Sequence, residues 1–528
     1  MTSPSTGGRA IVRALAERNV DLVFGIPGTH NLEIYRHLTG SGIRHVTPRH
    51  EQGGGYAADA YARVSGKPGV VITTTGPGLT NAITAAATSY ADSLPVLYIS
   101  PGMPTGMERA DIGWLHEMKD QHACIDAAVD RSIRVTSAAE AYVAIHETFD
   151  RWETGRRRPV HVEVPIDVLD GEYDDAALTR PENRFTRPTP SASNVASAAD
   201  ALAGAGSVMM IVGGGARLAT DEVRAVAERL GAPVVTTVNG KGILPEDHPL
   251  SLGAAIRLPE AHALLTEADA LLIVGSVLGD DEQWGNVVQA SGVVVRLDVD
   301  SAQLDKNLTA THHLHGDAAV TLRLLLQALP EEVPNRLRRS ASTMRAKLDA
   351  AAMVAGAPFA PFHEALASVL PPTAIFSGDS AQVSYNGTAS QWNSMRPSQF
   401  VYPAGFATLG YGIPGGIGAS LAAPGTPVIV VAGDGGTMFT IQEFATAVDL
   451  GLPLPVVVFN NAGFQEIREG MEARGIDPLG VDVRSPDFPL LGKAFGGEGR
   501  RVHTPAELAE AVAEALQAAV PTLIEVPI

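Results

Sequence analysis

This 528-residue sequence contains one cysteine, no surplus of basic residues and no long hydrophobic run. Because Cys124 has no second cysteine with which to form a disulfide, we expect a reducing compartment, with Cys124 packed in or near a helix. No segment approaches the roughly 20 apolar residues that cross a bilayer. The first residues also lack the basic start and apolar stretch of a secretory signal. These absences predict a cytoplasmic protein without a membrane partner.

The charge balance excludes a further class of partner. Lys and Arg number 39 against 58 Asp and Glu, which gives a formal net charge of −19. Without a basic stripe to neutralise phosphates, we expect no binding of nucleic acid.

The composition that is present favours a large α/β protein. Hydrophobic residues make up 45% of the chain and charged residues 18%, which allows large cores and excludes a disordered protein. The 54 Gly and 36 Pro interrupt every candidate helical run and exclude a coiled coil or solenoid. At roughly 150 residues per domain, the length predicts three or four domains.

Apolar strands alternate with helical patterns along the chain, which predicts mostly parallel sheets covered by helices. The predicted strands are 22–24, 69–74, 94–99, 160–164, 207–212, 232–236, 270–274, 293–298, 373–377, 427–432, 454–459 and 522–526. The predicted helices include 55–64, 138–153 and 331–353, and the Pro-, Ser- and Thr-rich stretch 179–194 is predicted to be a linker. We therefore expect three domains, at 1–178, 190–330 and 355–528.

Two segments of the chain share a pattern. Residues 158–166 read Arg-Pro-Val-His-Val-Glu-Val-Pro-Ile, and residues 520–528 read Val-Pro-Thr-Leu-Ile-Glu-Val-Pro-Ile. The pattern predicts that the outer domains share one fold by duplication; chance convergence of two strands is the alternative.

The last domain carries a motif for a diphosphate and a metal. Strand 427–432 runs into Gly433-Asp434-Gly435-Gly436, and strand 454–459 runs into Asn460-Asn461. In a parallel sheet both loops emerge at the same edge. The glycines let backbone approach a diphosphate, with a helix expected to begin near Thr440. Asp434, Asn461 and the Gly463 carbonyl supply hard oxygens that suit Mg²⁺; the alternative is an Asp-Gly turn beside an unrelated Asn pair.

This arrangement resembles the signature of thiamine diphosphate (ThDP) enzymes, in which Gly-Asp-Gly is followed by Asn-Asn. The resemblance extends over essentially the whole chain. It implies a pyrimidine-binding domain (1–178), a middle domain (190–330) and a diphosphate-binding domain (355–528). It also implies bound ThDP and Mg²⁺, and active sites built between subunits of a homodimer or homotetramer.

The resemblance assigns roles to residues that are ambiguous alone. Glu51 opens a helix of small residues and is equally well a helix-terminal carboxylate. In the family this Glu hydrogen-bonds N1′ of the aminopyrimidine and favours the 4′-imino tautomer, which removes the C2 proton. Leu409, in the Gly-rich stretch 403–418, matches the residue that bends the cofactor, and the Ala407 carbonyl would accept from the 4′-amino group. Without the resemblance this stretch reads as a turn before a small-faced helix.

Two histidines are further catalytic candidates. His30 follows a predicted strand-to-helix turn, and His116 stands where acetolactate synthases carry Gln. Alone, either is a surface or packing residue. Because Leu115 precedes His116, the His-His pair of pyruvate decarboxylases is missing, which argues against a simple pyruvate decarboxylase.

The middle domain is expected to be a scaffold. Gly213-Gly-Gly follows a strand but lacks the third glycine of a dinucleotide fingerprint. Residues 253–260 also depart from the pattern of related flavin-binding synthases.

Stretches 25–52 and 473–488 look most similar to the 2-ketoarginine (5-guanidino-2-oxopentanoate) decarboxylase group. Glu466, Glu469 and Glu472 are candidate partners for a guanidinium, with a solvated charged helix as the alternative. The leading hypothesis is a ThDP- and Mg²⁺-dependent decarboxylase that converts a 2-oxoacid to an aldehyde and CO₂. The alternatives are an acetolactate synthase-type carboligase, a nucleotide-binding oxidoreductase and a non-catalytic paralogue.

Overall fold

The computed structural model describes residues 5–528. Residues 1–4, where the predicted first domain begins and a secretory signal would start, lie outside the described residues. The chain forms two compact units. The first contains the chain up to residue 186 with 413–424 and 440–450; the second contains 187–412, 425–439 and 451–528.

The first unit is built on one parallel sheet with the strand order β2-β1-β3-β4-β6-β5. Its strands are β1 (Leu22–Gly25), β2 (Arg44–Val46), β3 (Gly69–Ile72), β4 (Val96–Gly102), β5 (Arg131–Arg134) and β6 (Val160–Pro165). Its helices are Gly7–Glu17, Leu32–Leu38, Glu51–Ser65, Pro77–Ala91, Gln121–Asp126, Ala138–Thr154, Ile166–Asp170, Gly412–Ala422 and Glu443–Asp449, with a 3-10 turn at Asp175–Ala177.

The second unit contains two parallel sheets. The first has the order β11-β10-β9-β7-β8 and the strands β7 (Val208–Val212), β8 (Val234–Thr236), β9 (Ala270–Val274), β10 (Val293–Asp298) and β11 (His312–His315). Its α-helices are Ala192–Ala203, Thr220–Leu230, Pro259–Thr266, Asp280–Gln283 and Ala318–Ala328, and its 3-10 turns are Gly214–Ala216, Val238–Gly240, Ser301–Gln303 and Arg338–Ser340.

The other sheet of this unit has the order β13-β12-β14-β15-β17-β16. Its strands are β12 (Ile375–Gly378), β13 (Phe400–Val401), β14 (Val428–Gly433), β15 (Pro455–Asn460), β16 (Glu498–Arg501) and β17 (Thr522–Pro527). The remaining helices are Ala341–Gly356, Ala360–Val369, Ala389–Gln391, Asp434–Thr440, Gln465–Ala473, Phe488–Ala494 and Pro505–Ala515, with a π-helical stretch at Val383–Thr388. The predicted α/β class with parallel sheets is confirmed.

The first and last sheets have the same topology. Their strand orders match one for one, and the two repeated segments form β6 and β17, at the same place in each order. Arg134 on β5 lies opposite Glu163 on β6 and pairs with its carboxylate. Arg501 on β16 lies opposite Glu525 on β17 and pairs with it at 2.8 Å. The pattern shared by residues 158–166 and 520–528 therefore marks equivalent strands of a shared fold.

Several predicted elements were wrong in detail. The helix expected over 331–353 begins at Ala341, because Pro334 breaks the pattern and Asn335 donates hydrogen bonds to the carbonyls of Val208 and Leu230 instead. The linker expected to end at 194 gives way to a helix that Ser191 caps. Cys124 lies in a helix but is exposed, since Gln121 and Ile125 take the buried face.

Within residues 5–528, none of the helices combines the length and apolarity that a membrane span requires.

Candidate active site

A cavity of about 840 Å³ in the second unit brings together the predicted cofactor residues of the last domain. The loops that follow β14 and β15 form part of its wall, as expected at the carboxyl edge of a parallel sheet. The predicted residues on its wall are Ala407, Leu409, Gly433, Asp434, Gly435, Gly436, Asn461 and Gly463.

The three predicted metal ligands converge on one point. The amide of Asn461 lies 3.0 Å from the Gly463 carbonyl oxygen and 3.2 Å from Asp434 Oδ1. With its nitrogen facing them, the amide donates to both oxygens. With its oxygen facing them, three oxygens meet at about the separation that neighbouring ligands have around an octahedral Mg²⁺. The donor set therefore fits a hard divalent cation.

Asn460 and Asn461 have different surroundings. Ser485 Oγ donates to Asp434 Oδ2 at 2.7 Å and to Asn460 Oδ1 at 3.0 Å. Asn460 also donates from Nδ2 to Glu525 at 2.7 Å, so its side chain joins the sheet, whereas Asn461 faces the cavity. Ser485 was missed in the sequence because no motif marks it.

The helix that was expected near Thr440 instead begins at Asp434 and ends at Thr440. Asp434 and the two glycines therefore form its first turn, whose amides have no acceptor within the helix. The glycines are required by protein neighbours: a Cβ on Gly435 would lie 2.6 Å from the Phe464 ring, and one on Gly436 would lie 2.6 Å from Asp379 Oδ1. Close packing explains these two glycines at least as well as contact with a diphosphate.

Asp379, which the sequence did not single out, follows β12 and holds the turn at Gly410 and Gly412. Its buried carboxylate accepts from the amides of Ser380, Gly410 and Gly412 at 2.8 to 3.0 Å. Burial raises the pKa of Asp379 to about 6, against the opposing effect of these amides. The turn that Asp379 holds also contains Ala407, whose φ of 49° is rare for alanine.

The wall beyond the glycines is acidic and aromatic. Glu466 accepts hydrogen bonds from Tyr385 Oη at 2.8 Å and Gln382 at 3.0 Å, both from the π-helical region. Asp280, Asp281 and the half-exposed Trp284 also line the cavity. Of the three predicted glutamates, Glu466 is on the wall, Glu469 shares Gln382, and Glu472 pairs with Arg468 at 4.0 Å.

In the first unit, Glu51 is buried at the start of the helix Glu51–Ser65. Its Oε2 accepts from Asn81 Nδ2 at 3.0 Å. Glu443, also buried, accepts from the amides of Arg49 and His50 at 2.9 to 3.1 Å and thereby fixes the chain just before Glu51. Sequence reasoning missed Glu443, because it is nearly 400 residues away along the chain.

The two predicted histidines of the first unit come together. The rings of His30 and His116 pack edge-on, with centroids 5.2 Å apart. Burial, and then His116, lowers the pKa of His30. Nδ1 of each ring is buried without a hydrogen-bond partner in the described chain, as are the hydroxyls of Thr73, Thr74 and Thr75. Such a cluster of unsatisfied polar atoms is typical of a site that binds a polar ligand.

One turn carries neighbours of both Glu51 and His116. A Cβ on Gly76, whose φ is +66°, would lie 2.4 Å from the His116 carbonyl oxygen. A Cβ on Gly78 would lie 3.1 Å from Glu51 Oε1. The first unit therefore groups Glu51, His30 and His116 around the turn after β3.

The glycines of the middle sheet have a packing role. The amides of Gly213 and Gly215 donate to the carbonyls of Val274 and Gly275 at 2.9 Å. A Cβ on either residue would collide with the Gly275 backbone. These glycines therefore serve the contact between two strand ends.

Comparison with known proteins places these features in a family. Three family models match: the thiamine pyrophosphate enzyme N-terminal TPP binding domain (5–124), the central domain (195–325) and the C-terminal TPP binding domain (383–526). Thiamine pyrophosphate is another name for ThDP. The matched ranges fall inside the three predicted domains.

Individual relatives cover nearly the whole chain. A probable 2-ketoarginine decarboxylase, AruI, of Pseudomonas aeruginosa is 42% identical over 93% of this chain and 88% of that protein. A probable acetolactate synthase large subunit of Methanocaldococcus jannaschii is 30% identical, covering 99% and 92%. An acetolactate synthase large subunit of Parasynechococcus marenigrum is 32% identical, covering 99% and 87%. The resemblance expected from the motifs is confirmed, and the chain belongs to the thiamine pyrophosphate enzyme family.

Proposed function

We propose that this protein is a ThDP- and Mg²⁺-dependent decarboxylase that converts a 2-oxoacid to an aldehyde and CO₂. We propose 5-guanidino-2-oxopentanoate as its substrate. The observation that carries the reaction is the single cavity lined by all eight predicted cofactor residues of the last domain. The relative named as a probable 2-ketoarginine decarboxylase supports the substrate.

In this proposal Asp434, Asn461 and the Gly463 carbonyl hold Mg²⁺, which neutralises the diphosphate. Leu409 and the Ala407 carbonyl position the cofactor rings. Within residues 5–528, no group of three or more His, Cys, Asp or Glu is arranged to hold a metal. Asp434 is the only acid in the proposed ligand set; Asn461 and Gly463 contribute neutral oxygens.

Bound ThDP supplies a thiazolium that accepts the electron pair left behind when CO₂ departs. Glu51 is the proposed partner of the aminopyrimidine ring, and its Oε2 is held by a hydrogen bond from Asn81. His30 and His116 are the proposed proton carriers for the product. Burial, and then the nearby His116 ring, lowers the pKa of His30.

The guanidinium end of the substrate is assigned to the acidic wall. Glu466 is held by Tyr385 and Gln382 with its carboxylate on the cavity, and Asp280 and Asp281 add negative charge. A guanidinium is planar and pairs well with carboxylates.

The second candidate is an acetolactate synthase-type carboligase, favoured by relatives of 30% and 32% identity with that name. It shares every cofactor contact and differs only in the fate of the decarboxylated intermediate.

We also propose a homodimer or homotetramer with sites between subunits, a cytoplasmic location, and domain boundaries at 1–178, 190–330 and 355–528. Glu51 lies in the first compact unit and Asp434 in the second.

The test is reconstitution of the full chain with ThDP and Mg²⁺, followed by CO₂ release from four substrates. These are 5-guanidino-2-oxopentanoate, pyruvate, benzoylformate and a branched-chain 2-oxoacid. We expect the guanidino acid to give the highest kcat/KM and an aldehyde product. Acetolactate from pyruvate as the main product would select the carboligase, and no CO₂ from any of them would refute both.

A further inference from the structure

One arginine on the cavity wall forms no ion pair with any carboxylate of residues 5–528. Arg257, in the segment between β8 and the helix Pro259–Thr266, is only 8% exposed. Nη1 donates to Asn386 Oδ1 at 3.1 Å and Nη2 to Ser390 Oγ at 3.0 Å. Nε is buried and has no partner in the described chain. Both acceptors are neutral, so the guanidinium is not paired with a carboxylate of the described chain.

The rest of its surroundings are aromatic. The guanidinium carbon lies 5.2 Å from the centre of the Trp284 ring, and the groups that raise the pKa of Arg257 are Tyr402 and Tyr385. Burial lowers the pKa of Arg257, and no carboxylate of the described chain offsets this effect. A buried charge without a partner is costly, and proteins keep one mainly where a ligand supplies the opposite charge.

We propose that Arg257 is an anion-binding residue that receives the carboxylate of a 2-oxoacid in this cavity. The guanidinium has five N–H donors, and the hydrogen bonds to Asn386 and Ser390 use two of them. Its planar geometry matches that of a carboxylate. Asn386 and Ser390 fix the orientation of the guanidinium, and Trp284 covers its face. The inference rests on the proposed function for the identity of the anion.

The position of Arg257 complements the acidic wall. Arg257 packs on Trp284, Trp284 packs edge-on against Tyr385 at 5.1 Å, and Tyr385 donates to Glu466. The cavity therefore presents a cation at one end of this chain of contacts and a carboxylate at the other. A substrate with a carboxylate at one end and a guanidinium at the other matches both charges.

The inference is tested by calorimetric titration of the cofactor-free full chain, which requires no turnover. The probes are 5-guanidinopentanoate and its neutral amide, which differ only in the carboxylate. We expect the wild type to bind the acid about 10- to 100-fold more tightly than the amide, as for a charge-assisted contact. In Arg257→Met this ratio should fall to about one. In Arg257→Lys it should fall by several-fold, because an ammonium lacks the paired N–H donors of the planar guanidinium.

Matched controls separate this role from a structural one. Arg345→Met changes another partly buried arginine of the same unit, which pairs with Asp349 off the cavity wall, and should leave the ratio unchanged. Arg257→Met should melt no lower than wild type, because it removes an unbalanced buried charge. If Arg257→Met does not fold, the Arg257→Lys ratio decides. An unchanged ratio in the folded Arg257 variant, or a wild-type ratio near one, would overturn the inference.

Kinetics identify which carboxylate is bound. If it belongs to the acid that loses CO₂, Arg257→Met raises KM for CO₂ release more than it lowers kcat, because the contact is strongest before decarboxylation. If it belongs to a second 2-oxoacid, that KM is unchanged and carboligation falls. A preserved acid-to-amide ratio in a protein that releases no CO₂ would refute the proposed function and leave the anion site standing.

Discussion

The two oxygens of the Asp434 carboxylate have different partners. Ser485 donates to Oδ2 at 2.7 Å, whereas Oδ1 faces the Asn461 amide at 3.2 Å. Because Oδ1 is the proposed metal ligand, Asp434→Ala should abolish Mg²⁺-dependent retention of ThDP on gel filtration. Ser485→Ala is the matched control, since it removes the internal contact and keeps the ligand oxygen. Full retention of ThDP by Asp434→Ala would refute the metal site.

Asp379 should make stability depend on pH. Burial raises its pKa to about 6 from the ordinary 3.8 of an aspartate, so the folded protein binds this proton more tightly than the unfolded chain does. This proton therefore adds roughly 3 kcal/mol to the free energy of unfolding below about pH 4. The contribution is lost as the pH rises through about 6.

The variant Asp379→Asn cannot titrate at this position. In urea unfolding between about pH 4 and pH 7, the wild-type free energy of unfolding should fall relative to that of Asp379→Asn by this amount. Because both proteins contain the same other carboxyl groups, the effect of those groups on the free energy of unfolding cancels in the difference. Parallel pH curves for the two proteins would contradict the assignment.

Among the elements, apolar runs predicted the strands that are buried on both faces. The strands that they did not predict, β2, β5, β11, β13 and β16, all lie at the edge of a sheet. β5 is half-buried throughout, and β16 is partly exposed at every residue, so neither contains a continuous apolar run. β13 has only two residues. Edge strands are specified by pairing with a neighbour, which a local pattern does not contain.

The same distinction applies to the site. Asp434, Asn461 and Glu51 stand in short motifs with a fixed relation to a strand or helix, which is why sequence reasoning singles them out. Asp379 and Arg257 act through contacts with segments distant in sequence, which only the folded chain reveals. The helix start at Asp434 was also misplaced, because Gly-Gly lowers the local helix propensity that the tertiary contacts override.

The helix Glu51–Ser65 depends on a distant acid for its start. Glu443 receives the amides of Arg49 and His50, and its carboxylate occupies the space where a Cβ on Gly53 would lie. Glu443→Ala should therefore remove protection of these two amides from hydrogen exchange, since they lose a buried charged acceptor.

Asp449→Asn is the matched control for this prediction. It disrupts the exposed ion pair between Arg49 and Asp449, which contributes about 0 to 1 kcal/mol, and should leave exchange of the two amides nearly unchanged. Equal exchange in wild type and Glu443→Ala would show that the helix start is held by other contacts.

At the scale of the molecule, the two outer sheets repeat one strand order, and each presents a group of predicted site residues after its strands. Glu51, His30 and His116 belong to the first unit, and Asp434 and Asn461 belong to the second. The proposed reaction requires both groups at one cofactor. A closed dimer satisfies this requirement if each site takes one group from each chain, which makes two equivalent sites.

Complementation between inactive variants tests this arrangement. Glu51→Gln should slow proton transfer while leaving ThDP bound, and Asp434→Ala should lose the cofactor; each alone is nearly inactive. When both chains are co-refolded in equal amounts, about half of the dimers are mixed, and each mixed dimer has one site with both residues intact. The mixture should regain about a quarter of wild-type activity, because one of two sites works in half of the dimers. A site formed within one chain would give no recovery, since every chain then carries one of the two defects, and mixing without refolding provides the baseline.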